Sequence, residues 1–317
     1  MIVKNGFVIN APNHVLPSYT ISPFSTRDIC ETRNSRKKNT HGYDIENYFS
    51  NRFRGKNIAL TTNGRSALEN ALTLLKLLPD DVVTIYTTTN NLYISSCVTT
   101  TIDKFCKWSR KIEKKTKVIL VNHEFGFCDQ NMSRYASLGY PIIEDLAHSF
   151  ISNTNNQDAG LYSDFLIFSL PKFFPVQLGG ILVHDCRYKN NFNIESEVEI
   201  YIKNSTSNYL ESINEIKEKR LINYNYYIEL FSTLSLTPYF RLQENDCPGV
   251  FCFKVPSFVD LQKMKIFLNA NGIESSVFYG KKAYFVPCHQ NLEKCDIDYI
   301  FMLVKFFLEK EEKNGVK

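Results

Sequence analysis

Short apolar runs alternate with stretches of helical spacing through the first two thirds of the chain. Asn57-Ile58-Ala59-Leu60, Val82 to Tyr86, Lys117 to Val121, Pro141 to Glu144, Phe165 to Ser169 and Gly180 to Val183 each read as a strand. Between them, residues 42–53 space apolar groups as a helix does. Ser66 to Leu78 sets Leu68, Ala71, Leu72, Leu75 and Leu78 on one helical face. Tyr93 to Val98 predicts the start of another helix, and Asn131 to Leu138 a further one. The alternation predicts an α/β fold with a largely parallel sheet. Ligands of such sheets sit at the carboxyl ends of the strands, where this chain places its polar clusters.

The remaining third changes character. Ser205 to Leu234 reads as one long helix and Gly249 to Val255 as a strand. Leu261 to Ala270 is a helix stopped by Asn271-Gly272, and Asp296 to Lys310 a final amphipathic helix with a charged, frayed tail. Residues 1–40, rich in Pro, Ser, Thr and Asn, read as an irregular arm. The expected organisation is an N-terminal arm (1–40), a large domain (41–190) and a small C-terminal domain (191–317).

Composition narrows the class. The chain has 317 residues, 44% hydrophobic and 22% charged, with a net charge of +4. That is an ordinary globular balance. The basic stretch Lys104 to Lys117 is interrupted by Glu113 and apolar residues, so it reads as a solvated helix or loop, and no nucleic-acid partner is expected. No run reaches the roughly 18 apolar residues of a membrane helix. The start of the chain lacks the pattern of a signal peptide. Nine cysteines without a CxxC pair fit reduced thiols in a cytoplasmic protein, with no cysteine-bound metal.

Four places could carry chemistry. Asp145 ends a buried strand, and a carboxylate there is costly unless paired. Its partner could be an arginine, a helix cap or a protonated ring nitrogen. Asn63-Gly64-Arg65-Ser66-Ala67 joins a strand to a helix. Gly64 allows close approach, the helix start offers free N–H groups, and Arg65 adds charge, which suits a phosphate. The same turn could equally be a plain connection with Ser66 as N-cap. Ser169 with Lys172 places a hydroxyl and an amine after a strand; a lysine in an apolar setting can bond covalently to a carbonyl. Tyr93, with Ser95 and Ser96, could stack on a flat ring or simply pack in the core. His123, His148 and His289 have no metal-type spacing.

Taken in order, these segments resemble the DegT/DnrJ/EryC1/StrS family of sugar aminotransferases, from about Gly42 to about Phe307. Asn63-Gly64-Arg65-Ser66-Ala67-Leu68 resembles the family's SGTxAL loop, and Asp80-Asp81-Val82-Val83 its GDEVI. Tyr93-Ile94-Ser95-Ser96 is similar to the segment with the stacking aromatic. His123-Glu124-Phe125-Gly126 resembles HxxG, Ile143-Glu144-Asp145-Leu146-Ala147-His148 IEDAAH, and Ser163 to Ser169 GDIGCFSF. Gly179-Gly180-Ile181-Leu182-Val183 resembles the strand that follows, and Val286 to Leu292 fits the family's small domain. The lysine lies three residues after the serine instead of five. Arg65 stands in place of a threonine, and no GxNxR motif follows Val183.

The resemblance implies the fold type I of enzymes dependent on pyridoxal 5'-phosphate (PLP). That fold has a mostly parallel seven-stranded sheet and a smaller α+β domain. It implies that Asp145 pairs with the ring nitrogen and that His148 sits near the ring hydroxyl. Tyr93 would stack on the ring, and Gly64, Arg65, Ser66 and Ser169 would hold the phosphate. Lys172 would bind the cofactor covalently and move the proton. The implied reaction carries an amino group from glutamate to a nucleotide-linked keto-sugar, in a homodimer serving surface polysaccharide synthesis. A PLP-dependent sugar dehydratase and a non-catalytic homologue that binds a sugar nucleotide or a partner are the competing readings.

Overall fold

A computed structural model describes residues 1–35, 44–189 and 192–315, the last two without their side chains. The end of the arm (36–40), the helix start at 42–43, the Asn-rich pair 190–191 and the tail residues 316–317 lie outside the described residues.

The arm is not irregular throughout. It opens with strands β1 (Ile2–Lys4) and β2 (Phe7–Ile9), paired antiparallel. Asn5 and Gly6, at φ of 50° and 80°, supply the left-handed pair that a two-residue hairpin turn requires. Helix α1 (Asp28–Ser35) follows, where Asp28 Oδ2 accepts the Ser25 N–H and hydroxyl at 2.7 Å each.

The alternating pattern then becomes structure: α2 (Ile45–Arg52), β3 (Lys56–Thr61), α3 (Gly64–Leu75), β4 (Val82–Thr87), α4 (Ser96–Ile102), β5 (Lys107–Ser109), β6 (Thr116–Asn122), α5 (Met132–Ala136), β7 (Ile142–Asp145), β8 (Phe165–Ser169) and β9 (Gly180–Asp185). They build a seven-stranded sheet in the order β3-β9-β8-β7-β6-β4-β5. Only β9 runs against its neighbours. The basic stretch therefore holds an edge strand, β5, with Lys107 and Lys115 bonded to Asp80 at 2.8 and 3.0 Å.

Tyr93 does not begin a helix. Ser95 is the N-cap of α4, accepting the Cys97 N–H, so Tyr93 stays in the loop before it. Likewise the N-cap of α3 is Asn63, whose Oδ1 accepts the Ser66 N–H at 2.9 Å, and not Ser66.

Helix α6 (Ser196–Leu210) and helix α7 (Ile213–Ser232) replace the expected single helix. The break at Glu211-Ser212 has a physical cause. Each helix buries residues in a different unit: residues 24–214 with 243–247, and residues 1–23, 215–242 and 248–317. The arm is therefore divided between the units, and residues 192–214 fall with the sheet instead of the C-terminal part. Tyr19 shows why: its N–H donates to Gly272 O at 2.9 Å and its carbonyl accepts the Glu274 N–H at 2.8 Å.

The second unit adds β10 (Val250–Lys254), α8 (Leu261–Ala270), β11 (Ser276–Val277), β12 (Ala283–Pro287) and α9 (Lys294–Gly315). Its antiparallel sheet has the order β10-β12-β11. Helix α9 runs past the expected end at Lys310. Buried Arg220 donates from Nε to Gln290 Oε1 at 2.8 Å, and a Cβ on Gly249 would lie 3.2 Å from its Nη1.

Strand alternation decides what the large sheet offers. Val83, Ile85, Val118, Leu120, Ile143, Phe165, Ile167, Leu182 and Ala59 pack with Ala67, Leu68, Ala71 and Leu72 of α3. Ile119, Val121 and Ile142 pack on the other face with Met132 and Tyr135 of α5. Side chains alternate with period two, so Thr61, Thr87, Asn122, Asp145, Ser169 and Gly180 all share the α3 face.

Gly180 sits where β9 crosses the turn before α3. A Cβ there would overlap the Asn63 carbonyl and come 2.6 Å from Thr61 Oγ1. Gly180→Ala is expected to destabilise the protein by about 1–3 kcal/mol, measured by urea unfolding, because well-packed backbone must shift to admit the methyl group.

Candidate active site

Asp145 is 7% exposed, at the carboxyl end of β7. Its Oδ2 accepts the Asn122 amide at 2.8 Å, and its Oδ1 accepts the Ala147 N–H at 3.0 Å. Burial raises its affinity for the proton; the Ala147 N–H, the Asn122 amide and the charge of His123 oppose that rise. No lysine or arginine forms an ion pair with it among the described residues. Two oxygens offer about four acceptor positions, so capacity remains for one strong cationic donor.

The adjacent carboxylate has the opposite fate. Glu144 points to the other face and is fully buried. Its Oε1 accepts from the Gly160 N–H at 3.0 Å and from the Ser163 hydroxyl. Its Oε2 lies 3.0 Å from His123 Nε2. His123 Nδ1 accepts the Asp129 N–H at 2.9 Å, which leaves Nε2 to donate to Glu144. Both Glu144 and His123 are consumed in this network.

A second group of residues gathers at the start of α3. Gly64 approaches the end of β8 so closely that a Cβ would stand 3.1 Å from Ser169 Cβ. Ser66 Oγ and Thr62 Oγ1 are 2.9 Å apart. Arg65 Nη2 reaches Cys97 Sγ at 3.1 Å. Burial works against ionising the Cys97 thiol, but Arg65, Ser95 and the charge of Lys172 outweigh it and hold the thiol below its ordinary range. Lys172 is half-buried in a single 3-10 turn, Leu170–Lys172, directly after Ser169. The Phe173 and Phe174 N–H groups donate to Leu170 O at 3.0 and 2.8 Å and close that turn, which takes up the short serine-to-lysine spacing.

Tyr93 and His148 each pack beside Phe125. The Tyr93 and Phe125 rings are 6.2 Å apart and tilted. The Phe125 and His148 rings are 5.7 Å apart and edge-on. Gly64, Arg65, Ser66, Ser169 and Lys172 thus gather at the start of α3, Tyr93 and His148 both meet Phe125, and Asp145 stands at the end of β7. These places stand at the carboxyl ends of the same sheet. The segment from Tyr93 to Cys97 links the first two.

Residues 45–197 match a family model described as "Putative PLP-dependent aminotransferase". No curated protein matches the chain by sequence. Among solved structures, the PMP form of "Putative sugar aminotransferase Spr1654" of Streptococcus pneumoniae is 16% identical with a TM-score of 0.71, covering 95% of this chain and 100% of that one. The aminotransferase TlmJ of Streptoalloteichus hindustanus is 14% identical with a TM-score of 0.70, covering 93% and 99%. A DegT/DnrJ/EryC1/StrS aminotransferase of Brucella abortus is 14% identical with a TM-score of 0.66, covering 89% and 96%.

The fold is that of the PLP-dependent aminotransferases.

The matched segment contains every residue singled out for the cofactor, from Gly64 to Lys172. The donor set fits the group. Asp145 retains acceptor capacity for a protonated ring nitrogen, and the start of α3 with Ser169 presents N–H and hydroxyl groups to a phosphate. No described helix is long and apolar enough to cross a membrane.

Glu124 was not legible as a site residue. It is 3% exposed, and burial pushes its carboxyl up to about 7, against the two bonds from Thr89 and the charge of Arg110; Asp129 adds to the rise. Its Oε1 has no hydrogen-bond partner among the described residues. The native state holds a proton here that the unfolded chain releases near 4.5. This contribution to stability is complete below that value and is lost as pH rises through about 7. Glu124→Gln removes the dependence. Between about pH 5 and pH 8, urea unfolding is expected to shift in the variant's favour relative to wild type, by on the order of 1–3 kcal/mol.

Proposed function

We propose that this protein is a PLP-dependent aminotransferase that moves an amino group from glutamate to a nucleotide-linked keto-sugar. It would act in the cytoplasm as a homodimer, in the synthesis of a surface polysaccharide. The observation that carries the reading is Asp145: a buried carboxyl with spare acceptor capacity and, among the described residues, no cationic side chain paired to it.

Each residue then has a task. Asp145 accepts from the ring nitrogen and keeps it protonated, and the Asn122 amide and Ala147 N–H hold its carboxylate in place. Gly64, Arg65, Ser66 and Ser169 bind the phosphate through backbone N–H groups, hydroxyls and one guanidinium. Tyr93 would stack on the ring, and His148 would sit beside its hydroxyl. Lys172 would hold the cofactor covalently and would carry a proton as general base and acid. When bound, PLP supplies the electron sink that lets a carbon next to the amine give up its proton.

The dehydratase reading shares this cofactor but needs another base in place of the lysine, whereas a lysine stands three residues after Ser169. The non-catalytic reading rests on the short Ser169–Lys172 spacing and on the lack of a GxNxR motif after Val183 in the sequence.

Purified protein mixed with PLP is expected to develop a visible absorbance band, and borohydride to fix the cofactor on Lys172, read by peptide mass. Lys172→Ala should abolish the adduct. Asp145→Asn should retain binding of the phosphate but lower transamination about 100-fold or more, since it removes a preorganised charge. Absence of both band and adduct in the wild type would overturn the proposal in favour of a non-catalytic protein. Amino transfer from glutamate to keto-sugar nucleotides, followed by chromatography, separates transaminase from dehydratase.

A further inference from the structure

Two loops are zipped together beside the candidate site. The loop after β6 grips the loop after β4 through Glu124. Glu124 Oε2 accepts the Thr89 N–H at 2.7 Å and the Thr89 hydroxyl at 2.8 Å. The Glu124 N–H donates to Thr88 Oγ1 at 2.9 Å, and that hydroxyl donates to Phe127 O at 2.7 Å. From the edge of the sheet, Arg110 Nη2 donates to Asn91 O at 2.7 Å and to Thr87 Oγ1 at 3.3 Å. The turn Thr87–Asn91 is thus held on both sides, and Tyr93 stands two residues beyond it.

The next residue adds a second device. Phe125 has φ of 57°, and Gly126 follows at 100°. A bulky residue pays roughly 1–3 kcal/mol for such a backbone, and keeps it only where the surroundings over-determine it. Here the conformation brings the Phe125 ring to 6.2 Å from that of Tyr93 and 5.7 Å from that of His148. Adjacent residues therefore hold the Tyr93 loop by its backbone and pack beside the Tyr93 ring.

We propose that Glu124 and Phe125 are positioning residues: Glu124 fixes the path of the loop that presents Tyr93, and Phe125 packs beside the Tyr93 and His148 rings and fixes where each stands. The proposal rests on the reading that Tyr93 and His148 flank the cofactor. It also explains why a half-satisfied carboxylate stays buried. Glu124 serves the N–H and the hydroxyl of one residue with one oxygen, which an apolar side chain cannot do.

Two measurements test it. In cofactor-free protein, amide hydrogen exchange over residues 88–95 is expected to quicken about tenfold in Glu124→Leu and in Phe125→Ala, the effect of losing the hydrogen bonds to Glu124 or a packed ring. Protection of β7 and β8 should stay at the wild-type level. Glu124→Gln, which keeps an acceptor oxygen, should restore wild-type exchange. The affinity for PLP, followed by absorbance, should fall about tenfold in Glu124→Leu and Phe125→Ala and recover in Glu124→Gln. Wild-type exchange and affinity in both variants would overturn the proposal, as would faster exchange with unchanged affinity. If those variants do not fold, Thr89→Val, which removes only the hydroxyl donor, decides by the same exchange window. Failure of the wild type to take up PLP would sink the cofactor reading alone; exchange over 88–95 would still decide whether Glu124 and Phe125 hold the loop.

Discussion

A carboxyl buried at the end of β7, with no cation paired to it among the described residues, constrains everything around it. Asp145 is stabilised by one amide and one backbone N–H, fewer donors than a buried carboxylate can use. Burial raises its affinity for the proton. A bound group that brings its own positive charge resolves the conflict. The parity of the sheet makes this useful. Because Asn122, Asp145 and Ser169 share the face on which α3 packs, the acid and the anion-binding helix start look toward the same side.

Three acids within the segment from Glu124 to Asp145 show three ways of being buried. Glu144 receives Gly160, Ser163 and His123, with donors on both of its oxygens. Asp145 is partly served and faces the candidate site. Glu124 spends one oxygen on Thr89 and leaves the other without a partner among the described residues. A fully satisfied network rigidifies the core; a partly satisfied one is tolerated where it holds something else in place. The contrast is between neighbours with the same chemistry, so environment, and not residue type, assigns the roles.

The phosphate end is organised differently. Here the charges are positive and half-exposed, and they share a thiol. Arg65 bonds to Cys97, and Lys172 acts on the same sulfur. The 3-10 turn that carries Lys172 begins at the residue after Ser169, so the short spacing between serine and lysine is absorbed by a tighter helix and not by an extended loop. Arg65 has the reach to turn from Cys97 toward an anion, because its guanidinium rides on a long flexible stem.

Much of this was legible from residues alone. Period-two and period-3.6 patterns located the strands of the large sheet and the helix α3, because burial of one face imposes those periods wherever an element packs. The abrupt end of an apolar run in Glu144-Asp145 marked the acid, since a charge beside a buried strand always needs an explanation. The hairpin at Asn5-Gly6 also had a local signal in its turn residues. Other features had none. Whether Ser205 to Leu234 is one helix or two depends on which core each half packs into. Which serine or asparagine caps α3 depends on a side-chain rotamer. The roles of Glu124, Arg110 and Phe125 rest on contacts between residues up to 39 apart in the chain, such as Thr88 with Phe127. Local pattern determined the elements and the acid at the strand end, because both follow from what a segment must bury. The partners of that acid, and the loops that frame it, were decided only when the sheet brought distant strand ends side by side.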